Sequence, residues 1–328
     1  MLPAQAATES ALCMLRVLTA ALILFAACGD GRDANGAQVA TLRLDTSGVP
    51  TFSADAAYAL LARQVDFGPR VPGTAPHAAQ LAWMTAFLRE RADTVTLQRF
   101  THQTTDGTTL ELTNVLARFW PDAGTRVLLV AHWDTRPRAD MESDDPRREL
   151  PIPGANDGAS GTAVLLELAN VLSRHSPPIG VDLLFVDGED YGPGGEDMYL
   201  GAKHFAANPP PEYRPLYGIV VDMVADKTPA FYMEGNSRDM APEVVERVWR
   251  IAEHIGLGHV FVRSPGGYIT DDHVHLNRGG LRTIDIIDFD FGPGNSFWHT
   301  HHDTLENTSA VGPGAIGTVL TTLIFNGG

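Results

Sequence analysis

Short apolar runs separated by helical patterns constrain this chain's fold more than any other feature. Residues 126–131 (RVLLVA), 181–186 (VDLLFV) and 217–221 (YGIVV) are too short for helices and nearly continuous in apolar character. That is how strands read when a sheet is covered on both faces. A fourth such strand is expected over 281–287, and the alternating stretches 95–100 and 110–118 predict two more. Helical spacing is found over 55–66 (Ala56, Ala57, Leu60, Leu61, Val65), 76–91 (Leu81, Met84, Ala86, Leu88) and 161–174 (Val164, Leu165, Leu168, Ala169, Leu172), and again over 242–255 and 312–324. Strands alternating with helices predict one three-layer α/β/α domain with a mixed, mainly parallel central sheet. The proline-rich stretch 208–215 reads as a surface loop.

The N-terminus has a different logic. Residues 14–28 (MLRVLTAALILFAAC) join one arginine, an apolar run and Ala26-Ala27-Cys28, the form of a secretory signal with a lipobox-like end. The apolar run falls short of the roughly 20 residues that span a bilayer. The expected organisation is a signal over 1–28 (with Met14 an alternative start), a flexible tether over 29–54 and a catalytic domain over 55–328. An exported bacterial protein is implied, periplasmic or held to the membrane only by a lipid on Cys28. Both cysteines, Cys13 and Cys28, lie at or before the cleavage site, so the mature domain has neither disulfides nor thiolate ligands. The formal charge of −16, with only Lys203 and Lys227 as lysines and no basic run, argues against a nucleic-acid partner.

Ligands of open α/β sheets sit beyond the carboxyl ends of the strands. His132, Asp190 and Asp222 follow apolar strands, Asp157 lies in a loop entering a helix, and His299 closes the series in FWHTHHDT. Any one of these has a bland reading: His132 as a satisfied core histidine, Asp222 as a turn residue, Asp271-Asp272-His273 as a capped loop. Together they supply the imidazoles and carboxylates of a zinc site. Asp157 is the natural bridge between two metals, because Gly154 and Gly158 let the backbone bend sharply. Asp134, two residues from His132 on one face of an extended segment, suits a carboxylate that orients a metal-bound imidazole from behind. If Asp190 binds metal, Glu189 is left as a general acid/base. His301 and His302 read as exposed, Asp303-Thr304 as structuring the loop of His299, and Glu167 and Asp187 as structural.

The series His-x-Asp, Gly-Ala-x-Asp, Asp-Gly-Glu-Asp, Asp222 and Trp-His-Thr-x-x-Asp resembles the family-28 zinc aminopeptidases and the glutaminyl cyclases that share their fold, over roughly residues 65–307. Trp298 before the histidine and the segments 67–73, 199–206 and 269–273 are similar to the cyclases. The resemblance implies a peptide N-terminus as substrate, with conversion of N-terminal glutamine to pyroglutamate. It implies a zinc held by Asp157, Asp190 and His299, with Glu189 as acid/base and Asp222 and Asp271 in a hydrogen-bonded acidic network. Trp298 and Trp133 would wall the glutamine side chain. The alternative is an aminopeptidase with two zincs, His132 and Asp222 joining Asp157 at the second. The ligands alone leave both activities open, and the animal cyclases carry Glu where this chain has Asp190. A binding lipoprotein without turnover would have no need of Glu189.

Overall fold

The computed structural model describes residues 44–142 and 146–328. The expected signal, the expected lipid site at Cys28 and the expected tether as far as residue 43 lie outside the described residues. The remainder of the expected tether is part of the domain. Phe52 is 7% exposed and packs where a Cβ on Gly317 would lie 2.3 Å from its ring, while the Asp45 N–H donates to Asn326 Oδ1 at 2.8 Å.

The elements run α1 (Ala54–Val65), α2 (Ala75–Arg89), β1 (Thr94–Gln103), β2 (Thr109–Phe119), β3 (Arg126–His132), α3 (Ala159–Leu172), β4 (Gly180–Val186), α4 (Leu200–Ala207), β5 (Gly218–Asp222), β6 (Phe231–Met233), α5 (Gly235–Met240), α6 (Pro242–His254), β7 (Phe261–Pro265), α7 (Asp272–Arg278), β8 (Thr283–Ile287) and α8 (Val311–Phe325). Local chemistry sets several of these starts. Ser53 caps α1 by accepting from the Ala56 N–H, and Thr74 caps α2, where Pro76 occupies the first turn.

Six strands form the main sheet in the order β1-β2-β4-β3-β5-β8. β3, β4, β5 and β8 are parallel, and β2 joins β4 and β1 antiparallel. Strand alternation divides the core. Leu128, Val130 and Leu184 pack with Phe205 of α4 and Leu276 of α7 on one face. Leu61 of α1 packs with Ala159 and Ala163 of α3 in a separate cluster, and α3 also packs on α8. Each fully buried side chain of Leu or Val size contributes about 1.5–3 kcal/mol, so the four parallel strands form a rigid base. β6 and β7 pair in a small second sheet. The mixed, mainly parallel α/β architecture is the expected one. The helices α4, α5 and α7 were not expected, and the Asp271-Asp272-His273 loop opens α7 with Asp271 as its cap. Among the described residues no helix is long and apolar enough to cross a membrane.

Candidate active site

The functional side chains gather at the carboxyl ends of the parallel strands. His132 is the last residue of β3, Asp222 the last of β5, and Glu189 and Asp190 follow β4. Asp157 arrives on the loop before α3 and His299 on the loop after β8. The two imidazoles face each other across Asp157. His132 Nε2 lies 3.1 Å from Asp157 Oδ1 and 3.1 Å from Asp222 Oδ1, and His299 Nε2 lies 3.4 Å from Asp157 Oδ2 and 3.2 Å from Asp190 Oδ1. Asp157 thus belongs to two buried triads, His132/Asp157/Asp222 and Asp157/Asp190/His299, each with ligand atoms within 4.8 Å of one another.

Close backbone approach makes this possible. Gly154 has φ +65°, and a Cβ there would lie 2.2 Å from Thr135 Cγ2. At Gly158 a Cβ would lie 2.3 Å from His132 Nε2. The loop is pinned from below by Arg70, which donates to the carbonyls of Pro153 (2.6 Å) and Gly154 (2.5 Å). Asp303 accepts from the N–H groups of Asn156 (2.6 Å) and Asp157 (3.1 Å), so it shapes the loop of Asp157 as well as the turn next to His299. Burial and the charge of Asp157 push Asp303 up to about 7. His299 itself adopts a left-handed backbone, φ 53°, a conformation costing about 1–3 kcal/mol that persists where surrounding structure enforces it.

Asp134 is buried and does two things. It accepts from the N–H groups of Glu189 (3.1 Å) and Asp190 (3.2 Å), and its Oδ1 lies 3.5 Å from His132 Nδ1. The carboxylate expected behind His132 therefore also fixes the backbone of the Glu-Asp pair. Burial holds Glu189 well above the usual carboxylate range, with Asp190, Asp271 and Asp272 adding to the effect against the pull of His132. Asp222 is pushed by burial to about 7, with Asp271 and Asp157 adding repulsion against His132. Asp271 is likewise raised, chiefly by burial. Glu189, Asp222 and Asp271 form one electrostatic group, in which protons are shared more readily than charges.

The imidazoles respond in the opposite sense. Burial opposes the charged form of His299, yet Asp190 and Asp157 hold its pKa at about 9. His132 is buried too, and Asp222, Asp134 and Asp157 hold it well above the ordinary value. Such a site is one in which a cation is wanted. Asp190 Oδ2 is buried without a hydrogen-bond partner, and imidazole nitrogen with carboxylate oxygen is a donor set for a divalent metal. The residues present therefore fit a metal ion.

Trp298 is half-buried, its ring stacked 3.9 Å from that of His299 and tilted against Phe289 at 4.9 Å, in an apolar cluster with Ile269, Met223 and Ile287. The wall that the resemblance implies would stand on this cluster. Trp133 corrects the other half of that expectation. It has no exposed surface, stacks on His77 at 4.2 Å and donates to the Thr113 carbonyl at 3.3 Å. It lies beneath the site and cannot touch a substrate. His301 is also not free: its N–H and its Nδ1 both lie 2.8 Å from Glu142 Oε1. His302 is exposed and Asp187 is a buried partner of His77 (2.9 Å), both as expected.

Sequence reasoning missed Arg136 and Asp140. Arg136 Nη1 donates to Asp190 Oδ1 at 2.8 Å, and Asp140 accepts from its Nε (2.8 Å) and Nη2 (2.6 Å). No spacing marks these two residues out. The one available signal is an Arg-Asp pair four apart in the loop that follows His132 and Asp134.

Residues 114–324 match the model of peptidase family M28. The chain belongs to this family. Among solved structures, the glutaminyl cyclase of Bacteroides thetaiotaomicron, bound to N-acetylhistamine, is 38% identical with a TM-score of 0.82, covering 85% of this chain and all of that one. A leucine aminopeptidase precursor from the same organism is also 38% identical, with a TM-score of 0.83 over 87% of this chain and all of that one. The glutaminyl-peptide cyclotransferase of Drosophila melanogaster is 27% identical over 263 residues, which are 72% of this chain and 70% of the relative.

Proposed function

We propose that this M28-family chain is a zinc-dependent glutaminyl-peptide cyclotransferase, acting on peptide or protein N-termini that begin with glutamine. The observation that carries the reading is Glu189, a buried acid of raised pKa fixed by Asp134 at the edge of the Asp157/Asp190/His299 triad, with the Trp298 ring stacked beside it on His299. Its overall likeness to bacterial glutaminyl cyclases supports the same reading.

Asp157, Asp190 and His299 would hold the zinc. When bound, it supplies a Lewis acid for the γ-carbonyl oxygen of the glutamine. Glu189, as carboxylate, takes a proton from the substrate α-amine, whose nitrogen closes a five-membered ring onto the γ-carbonyl carbon. The same proton is then given to the leaving amide nitrogen, which departs as ammonia. Because nucleophile and carbonyl belong to one residue, proximity is built into the substrate. Asp222 and Asp271, both raised in pKa by burial, carry less charge beside Glu189 than free carboxylates would, which limits its charge repulsion. Trp298 offers an apolar face to the glutamine methylenes.

A single zinc is favoured by Asp190 Oδ2, the unpartnered buried oxygen, which belongs only to the triad of His299. In the other triad Asp222 already bonds His132 at 3.1 Å. The completeness of that second triad is the feature that would serve a two-zinc aminopeptidase. Zinc-loaded protein mixed with Gln-initiated and Leu-initiated peptides separates the two by mass spectrometry. Loss of ammonia from the Gln peptide with both chains intact is expected, and release of free leucine would overturn the proposal.

A further inference from the structure

Glu189 and Asp271 reach the same electrostatic group from two separate segments, the loop after β4 and the cap of α7, and one residue is bonded to both segments. The Tyr199 N–H donates to the Glu189 carbonyl at 2.7 Å, and the Tyr199 hydroxyl donates to the Thr270 carbonyl at 2.9 Å. Thr270 immediately precedes Asp271, whose carboxylate in turn accepts from the Asp272 N–H.

The backbone at Tyr199 is unusual for so large a residue. It sits in the left-handed region, φ 58° and ψ 28°, where it starts α4 without a side-chain cap. Asparagine or glycine would take that conformation more easily. What tyrosine adds is reach: its ring stacks on His275 of α7 at 4.9 Å, and Lys203 Nζ lies 5.7 Å from its centre. A strained position kept for a bulky side chain is a pointer to function. Burial, followed by the charges of Glu189, Asp271, Asp272 and Asp190, keeps the phenol protonated far above its ordinary range. Its hydroxyl is thus a permanent donor to Thr270.

We propose that Tyr199 is a positioning residue for the reaction, a strut that sets the separation of Glu189 and Asp271. This rests on the cyclotransferase reading above. Proton transfer through Glu189 depends on where Asp271 sits, because misplacement on the scale of an ångström is enough to lose rate. The two bonds that Tyr199 donates go to Glu189 and Thr270, and not to the three proposed zinc ligands or to Trp298.

The test compares the zinc-loaded parent protein with Tyr199→Phe and His275→Ala, following ammonia release from a Gln-initiated peptide. Tyr199→Phe keeps the ring and removes only the hydroxyl. Its kcat is expected to fall about tenfold, with KM within about twofold and zinc content unchanged. His275→Ala leaves the hydroxyl bond and is expected to lose less. A parent that releases no ammonia overturns the cyclotransferase reading itself. With an active parent, the strut is overturned if Tyr199→Phe keeps parental kcat, or if its loss lies in KM or zinc content. A loss in His275→Ala as large as that in Tyr199→Phe assigns the effect to packing and overturns it too.

Discussion

Arg136 and Asp190 are joined twice, by Nη1 to Oδ1 at 2.8 Å and to the Asp190 carbonyl at 3.3 Å. Asp140, which grips the same guanidinium, has its Oδ1 3.6 Å from His299 Nδ1. One arginine therefore steadies two of the three proposed zinc ligands. It occupies Asp190 Oδ1 and leaves Oδ2 free for the metal. Partners behind metal ligands are typically worth 10–100-fold in affinity. Arg136→Leu is expected to weaken zinc binding by about that factor, read by competition with a chromophoric chelator. Arg136→Lys, which loses the fork that grips Asp140, is expected to fall between the two. Parental affinity in Arg136→Leu would remove the arginine from the metal site.

How far the chain announced all this differs by level. The parallel strands were legible because burial on both faces leaves nearly unbroken apolar runs, and the ligands at their ends were legible because strand ends are where such sheets hold ligands. Trp133 was misplaced for a simple reason. Neighbouring residues in an extended segment point to opposite sides, so a His132 that faces the cleft sends Trp133 away from it. Helix α7 was hidden because DHVHLNR is short and mostly polar, and its stability comes from packing against α4 and β8. The contacts of Arg136 and Tyr199 had no signal in the sequence. Their partners, Asp190 and Thr270, are 54 and 71 residues away, and only the folded chain brings them together.

Glu189 is the acid/base in both enzymatic readings, and its replacement distinguishes chemistry from metal binding. Glu189→Gln keeps the shape and the N–H bonded to Asp134 but cannot carry a proton between nitrogens. A positioned acid/base contributes about 10²–10⁴-fold, so kcat should fall by at least about 10²-fold. Zinc content by atomic absorption should be unchanged. Loss of zinc in parallel would make Glu189 a ligand.

Zinc uptake should release protons. In the metal-free protein His299 has a pKa of about 9, so at neutral pH it carries a proton that a metal must displace. The sign follows directly: a group held protonated in the metal-free state favours that state, so zinc affinity rises with pH up to the pKa of His299 and falls as the solution is acidified. About one proton per zinc is expected from His299 at pH 7, and His132 adds to this only if zinc also reaches its nitrogen. Calorimetry in buffers of different ionisation enthalpy counts the protons. No release would mean that the imidazole is neutral before the metal arrives.

Asp288 lies just beyond β8, outside the proposed ligand set, and makes the fold sensitive to pH in its own right. Its Oδ2 accepts from the Ala230 N–H at 3.0 Å, and burial, with Asp226 and Asp290 nearby, pushes its pKa to about 6. An unfolded chain would ionise it near 3.8. Between those values the native state holds a proton that the unfolded state has lost. The stabilisation is therefore fully present below the unfolded value and disappears as pH rises through about 6. Two pKa units correspond to about 3 kcal/mol. Asp288→Asn removes the titration, so its stability relative to the parent should improve by up to about 3 kcal/mol between about pH 4 and about pH 7. Urea unfolding of both proteins across that range reads the difference. A gap that stays constant with pH would mean that Asp288 is ionised throughout, with the N–H groups of Ala230 (3.0 Å) and Asp290 (3.4 Å) sufficient to replace water.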